Sequence, residues 1–285
     1  MNYRHAFHAG NFADVVKHVV LTRVLLHMAR KAAPFRVIDS HAGRGLHELA
    51  GPEAARTGEW RDGIGRLIGA GAAPLPPVAT ELLEPYLAIV RAANPTGALA
   101  AYPGSPVIAA ALLRADDRLV LNELHPEEVQ ALAQRFARDR RVNVMAVDGY
   151  AAVRATLPPK ERRGVVLIDP PFEEPGELDR LILALREGVK RFATGTYLLW
   201  YPVKDVRSIE RFHAALAATG LPKLMAAELR IRRAARDGRV LSGCGIIVHN
   251  PPFTLADELG AILPLLATRF AIAPGAGSTV TMLGA

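Results

Sequence analysis

The tetrapeptide Asp169-Pro170-Pro171-Phe172 is the part of this chain best suited to chemistry. It follows Gly164-Val165-Val166-Leu167-Ile168, an apolar run that reads as a buried parallel strand. Two prolines fix φ and donate no backbone hydrogen bond, so the carbonyl of Pro170 can be held in one direction. Asp169 adds a second acceptor, and Phe172 adds a flat apolar face. Two acceptors and a stacking ring suit a planar base that carries an exocyclic amino group. The same residues also suit a strand that merely ends in a turn, because Asp and Pro both favour turns.

Three more strand ends carry polar chemistry. The first predicted strand, 36–39, runs into Ser40-His41-Ala42-Gly43-Arg44-Gly45, where glycines let the backbone approach a ligand closely. Gly43 and Gly45 match the opening of a dinucleotide fingerprint, but Glu48 stands where its third glycine belongs, and no phosphate-binding G-x-x-x-x-G-K-[ST] loop is present. A nucleoside cofactor without a pyrophosphate fits better. The second strand ends in Glu123, whose carboxylate suits paired ribose hydroxyls. The third ends in Asp148-Gly149, and an Asp there can accept from an adenine amino group. Each feature alone has a plain structural explanation; four in succession are harder to explain so. His5, His8, His18, His41 and His47 fit neither the H-E-x-x-H nor the zinc-finger spacing, so no metal is expected.

The elements that must position these residues read as α/β. With 285 residues, half of them apolar, the chain can bury a full core in one large domain or two small ones. Its net charge of +7 suits a polyanionic partner. Basic clusters at 135–141, 160–163 and 230–239 are candidates to meet phosphates. Cys244 is the only cysteine, which excludes an intrachain disulfide and makes a cytoplasmic setting the natural expectation. The apolar stretch 15–28 is broken by Lys17, His18 and Arg23; it reads as an amphipathic helix, neither a membrane span nor a secretory signal. Asn11 is its expected N-cap. Strands are predicted at 36–39, 118–123, 142–147, 164–168, 195–201, 226–232 and 245–250, with helices between all but the last pair, an expected antiparallel hairpin. The predicted fold is thus a seven-stranded, mostly parallel, Rossmann-like sheet. The gap after the first strand exceeds a simple crossover. Residues 46–98 are therefore predicted to be an inserted helical subdomain within a domain formed by 1–45 and 99–285. Pro85 is expected to end or kink the second inserted helix. Ser105 is expected to cap a helix beginning at Pro106. Residues 271–285 read as a short coil plus an edge element that the pattern does not assign further.

The order glycine turn, acid, Asp-Gly, Asp-Pro-Pro-aromatic resembles the S-adenosylmethionine-dependent methyltransferases that modify exocyclic amino groups. A wider set resembles the J-type 23S ribosomal RNA adenine-N6-methyltransferases of bacteria. It comprises Tyr3-Arg4-His5-Ala6-Phe7-His8-Ala9-Gly10-Asn11 with Asp14 and Lys17-His18, then Asp39-Ser40-His41-Ala42-Gly43 and Arg56-Thr57-Gly58-Glu59. Tyr102-Pro103-Gly104-Ser105-Pro106, Glu123-Leu124-His125-Pro126, Lys190-Arg191-Phe192-Ala193-Thr194-Gly195 and Leu199-Trp200-Tyr201-Pro202 complete it. The resemblance implies a monomeric class I methyltransferase with no obligatory protein partner and no membrane association, acting on protein-free 23S rRNA. It implies contacts to S-adenosylmethionine from His18, His41, Ser105, Glu123, Asp148, Gly149 and Asp169. It also implies that Tyr3 touches the RNA. Asp169, Pro170 and Phe172 would form the catalytic elbow, with Phe172 stacked on the target base. Phe172 and Ser40 stand where the family usually has Tyr and Thr; the ring and the hydroxyl are kept. A DNA adenine methyltransferase, a catalytically silent RNA-binding protein of the same fold and a nicotinamide dehydrogenase are the competing readings.

Overall fold

Asn11 closes the N-terminal turn of the first long helix, its side-chain oxygen accepting from the backbone N–H groups of Ala13 and Asp14 at 2.9 and 3.0 Å. This helix, α1 (Phe12–Ala29), belongs to a computed structural model that describes residues 5–234, 238 and 240–284. Tyr3 lies outside the described residues. The sequence pattern suggests an amphipathic α1; the structure instead buries it nearly all round, with Asp14, Lys17, His18 and Thr22 as deeply enclosed as Val15, Val19, Val20 and Leu25. The breaks at Lys17 and His18 mark a face turned to an interior cleft, where other side chains replace water. Among the described residues, no helix is long and apolar enough to cross a membrane.

Along the chain follow β1 (Arg36–Asp39), β2 (Leu46–Glu48), α2 (Pro52–Thr57), α3 (Gly65–Ile68) and α4 (Pro77–Ala92). Next come β3 (Ala101–Pro103), α5 (Ser105–Leu112), β4 (Arg118–Asn122), α6 (Pro126–Phe136), β5 (Val142–Met145), α7 (Gly149–Thr156) and β6 (Gly164–Ile168). The chain then forms α8 (Glu177–Arg191), β7 (Thr196–Val203), α9 (Val206–Ala217), β8 (Leu224–Arg230), β9 (Gly243–His249), α10 (Leu255–Phe270) and β10 (Gly277–Leu283).

The main sheet has the order β10-β8-β9-β7-β6-β1-β4-β5. β5, β4, β1, β6 and β7 are parallel, and β9 enters antiparallel between β7 and β8. This is the class I methyltransferase architecture. The sheet has eight strands rather than the predicted seven. The added one is β10, an antiparallel edge whose short run at the chain end pairs with β8 along its whole length. Helix α10 was also absent from the sequence reading; Pro264 lies inside it, and its Leu259, Ile262, Leu263 and Leu266 are fully buried.

Strand side chains alternate between two layers. Val37, Leu119, Leu121, Val165 and Leu167 face a core shared with α1, α4, α5 and α10. Ile38, Val120, Val166 and Ile168 face a second core under α7, α8 and α9. In the segment between β1 and β4, the antiparallel pair β2–β3 ties the chain at its two ends. Pro85 does not end α4. Leu83, Tyr86, Leu87 and Val90 are buried in the same cluster as Val16 and Val20 of α1, and that packing outweighs the missing backbone bond.

Candidate active site

Register explains how distant residues reach one place. β1 pairs with β6 as Asp39↔Leu167 and with β4 as Asp39↔Leu121. Continued two residues beyond these pairs, this alignment puts Asp169, His41 and Glu123 abreast. The sheet reverses its winding between β1 and β6, and open α/β sheets bind ligands at such a switch point. A cleft of about 650 Å³ opens there. It is lined by all the predicted site residues that the structure describes: His18, His41, Ser105, Glu123, Asp148, Gly149, Asp169, Pro170 and Phe172.

Asp169 turns its carboxylate into the cleft. Its Oδ2 accepts from Lys17 Nζ at 2.5 Å, and the same ammonium lies 3.0 Å from Asp14 Oδ1. Asp14 Oδ2 in turn meets His5 Nε2 at 2.8 Å and accepts from the Gly10 backbone at 3.0 Å. Burial raises the cost of ionising Asp14, but His5 and Lys17 outweigh it and hold its carboxyl well below the usual range. Burial likewise opposes the charge on Lys17, and Asp14 and Asp169 reverse that, so its pKa rises and it stays an ammonium. Lys17 is therefore no base; it clamps Oδ2 and leaves Oδ1 unclamped.

Phe172 has φ 52, a left-handed conformation rare for an aromatic residue. Its ring meets Trp200 edge-on at 5.7 Å. The two rings form one wall of the cleft beside Pro170 and Pro202.

The opposite end holds the glycine turn. Glu123 accepts from the Gly43 N–H through Oε2 at 2.8 Å and from the His125 N–H through Oε1 at 2.7 Å. These bonds fix the carboxylate plane and leave a lone pair on each oxygen. Asp148 caps α7, its Oδ1 accepting from Ala151 N–H at 2.9 Å. Its other oxygen takes no part in that cap. Gly149 is required by His41: an added Cβ would lie 2.3 Å from His41 Nε2. His41 bonds Ser40 Oγ through Nδ1 at 2.8 Å, and burial pushes its pKa down to about 4. Ser105 is not the N-cap; Gly104 is, and α5 starts one residue early. The Ser105 hydroxyl instead donates to Asp39 Oδ2 at 2.6 Å. Asp39 is buried, and desolvation lifts its carboxyl to about 6.

Lys17, Asp14 and Trp200, which line this cleft, and Asp39 and Tyr102, which stand behind it against Ser105 and His18, have no role assigned from the sequence. Lys17 and Asp14 had a signal, since polar residues three apart in an apolar helix share a face. Asp39 ends the first strand, as Glu123, Asp148 and Asp169 follow theirs. Tyr102 had none. Among the described residues, no three His, Cys, Asp or Glu side chains gather as a metal-binding group.

Residues 32–282 match the family described as ribosomal RNA large subunit methyltransferase D, RlmJ. Ribosomal RNA large subunit methyltransferase J of Haemophilus influenzae is 43% identical over 279 residues, 98% of this chain and 96% of its own. The protein of the same name from Escherichia coli is 40% identical, with 99% of each chain covered. A crystal structure of a Legionella pneumophila protein superposes with a TM-score of 0.86 at 33% identity, over 96% of this chain and 98% of that one. This chain belongs to the RlmJ family of ribosomal RNA large subunit methyltransferases.

Proposed function

We propose that the protein methylates the exocyclic N6 amino group of an adenine in protein-free 23S rRNA, with S-adenosylmethionine as donor. One observation carries the reading: Asp169 and Pro170 line the same cleft as the glycine turn, Glu123 and Asp148. Alkylation of a base needs the acceptor amine and the donor methyl to meet, and here the groups suited to each line one space.

The chain's residues fit the donor. Glu123 suits the ribose hydroxyls and Asp148 the adenine amino group. The buried Nε2 of His18, with no partner among the described residues, suits a polar group at the amino-acid end. When bound, the sulfonium supplies an electrophilic methyl whose charge disappears on transfer. The chain's own work is to prepare the amine. An adenine amino group is a weak nucleophile because its lone pair is delocalised into the ring. Asp169 Oδ1 and the Pro170 carbonyl accept its two N–H bonds and turn the lone pair toward the methyl. Lys17 keeps the acid in place. Phe172 stacks on the base and holds it out of its helix. The methylated amine is a strong acid, so its extra proton leaves through Asp169 to water after transfer.

The test is methyl transfer to protein-free 23S rRNA, to assembled large subunits and to duplex DNA, with mass spectrometry of the digested nucleosides. N6-methyladenine in the free RNA alone is expected. Equal modification of duplex DNA would overturn the substrate, and no transfer to any of the three would overturn the activity.

A further inference from the structure

His18 lies at the cleft end of a buried hydrogen-bond chain that starts in the segment between β1 and β4. Its Nδ1 meets the Tyr102 hydroxyl at 2.8 Å, and that hydroxyl meets the Tyr86 hydroxyl at 2.9 Å. The His18 and Tyr102 rings stack at 5.5 Å. All three side chains are closed to solvent. Tyr86 comes from α4 and Tyr102 from β3. Among the described residues, Nε2 of buried His18 has no hydrogen-bond partner, and the residue lines the cleft.

Such a chain can run in two directions. In one, Tyr86 donates to Tyr102, Tyr102 donates to His18 Nδ1, and the ring proton sits on Nε2. In the other, His18 Nδ1–H donates to Tyr102, Tyr102 donates to Tyr86, and the Tyr86 proton needs a further acceptor. Among the described residues, Tyr102 is the hydrogen-bond partner of the Tyr86 hydroxyl, and no second acceptor stands beyond it. The second direction thus strands a buried O–H, at a cost of about 1–3 kcal/mol. Burial also holds His18 neutral, so one ring nitrogen carries the proton and the other does not.

We propose that Tyr102 is a positioning residue that holds His18 as its Nε2–H tautomer, so that His18 donates into the cleft to the carboxylate of the cofactor's amino-acid end. An N–H at that place accepts nothing from an ammonium, so the tautomer selects the carboxylate over the amine of the same ligand. The segment between β1 and β4, through Tyr102, thereby becomes part of the cofactor site. The identity of the ligand rests on the proposed function; the tautomer does not.

Three proteins separate the possibilities: the wild type, Tyr102→Phe and Tyr86→Phe. Nitrogen NMR of the ligand-free wild type should find His18 protonated at Nε2. Tyr102→Phe should mix the two tautomers. It should also weaken binding of S-adenosylhomocysteine about tenfold, roughly 1.4 kcal/mol, by calorimetry. It should leave binding of 5′-methylthioadenosine, which lacks the amino-acid end, at the wild-type level. Tyr86→Phe should keep the tautomer and both affinities, because Tyr102 then has His18 as its remaining acceptor. An Nδ1–H tautomer in the wild type overturns the proposal. So does equal loss of both ligands in Tyr102→Phe, which a purely structural role would give, or no loss of either. A wild type that binds neither ligand sinks the proposed function and the ligand assigned here, while the nitrogen spectrum still decides the tautomer.

Discussion

Gly149→Ala separates packing of the cofactor site from stability of the fold. Gly149 opens α7, where alanine is the better helix former by about 1 kcal/mol. Against that gain stands a collision. The new Cβ would lie 2.3 Å from His41 Nε2, 2.5 Å from Cε1 and 2.9 Å from the Ser40 carbonyl oxygen. The last is backbone and cannot swing aside. The His41 ring is held by Ser40 Oγ at 2.8 Å and by Tyr150 edge-on at 5.8 Å. Overpacking of this kind costs about 1–3 kcal/mol, so helix propensity offsets part of it and the net loss of stability stays below about 2 kcal/mol. Binding suffers more, because the relief open to the structure is to push His41 toward the ligand. Calorimetry should show affinity for S-adenosylhomocysteine reduced at least about tenfold, equivalent to 1.4 kcal/mol, while urea denaturation shows the smaller stability change. A variant that binds like the wild type, with the His41 ring resonances unmoved, would refute the claim that Gly149 makes room for that ring.

Asp169→Ala should bind S-adenosylhomocysteine and RNA yet lose turnover by about 100-fold or more, the usual effect of removing one preorganised polar partner; a near-normal single-turnover rate would contradict the orienting role. Phe172→Ala should weaken binding of the RNA substrate by about 1–3 kcal/mol, the worth of one base stacked on an aromatic ring. Filter binding reads this, and unchanged affinity would remove Phe172 from the base site. Asp39 gives a pH dependence whose sign is fixed. Its folded pKa of about 6 lies above the ordinary 3.8, so between these values the folded state holds more protons than the unfolded one. Its contribution to stability is full below pH 3.8 and is lost as pH rises through about 6. Denaturation of Asp39→Asn across that window should lack this falling component, about 3 kcal/mol at most, and an unchanged pH profile would show that Asp39 is not the group responsible.

What the sequence determined by itself was the set of strand ends. Apolar runs bounded by Gly, Pro and Asp are local signals, so β1, β4, β5 and β6 and their trailing acids were legible without a partner in view. The Asp-Pro-Pro-Phe elbow was legible for the same reason. Tertiary structure decided what stands behind those ends. Lys17 and Asp169 are 152 residues apart in the chain, and their contact exists because α1 packs beside β6. Tyr86 and Tyr102 are 16 residues apart and show no shared role in sequence; only the folding of α4 and β3 beside α1 aligns their hydroxyls with His18. The near-complete burial of α1, the survival of α4 through Pro85 and the pairing of β10 share one cause. Hydrophobic burial is non-directional, so a pattern in sequence reports which face is apolar but not which distant segment will cover it. A polar residue in such a pattern is read as facing water until another part of the chain arrives to meet it.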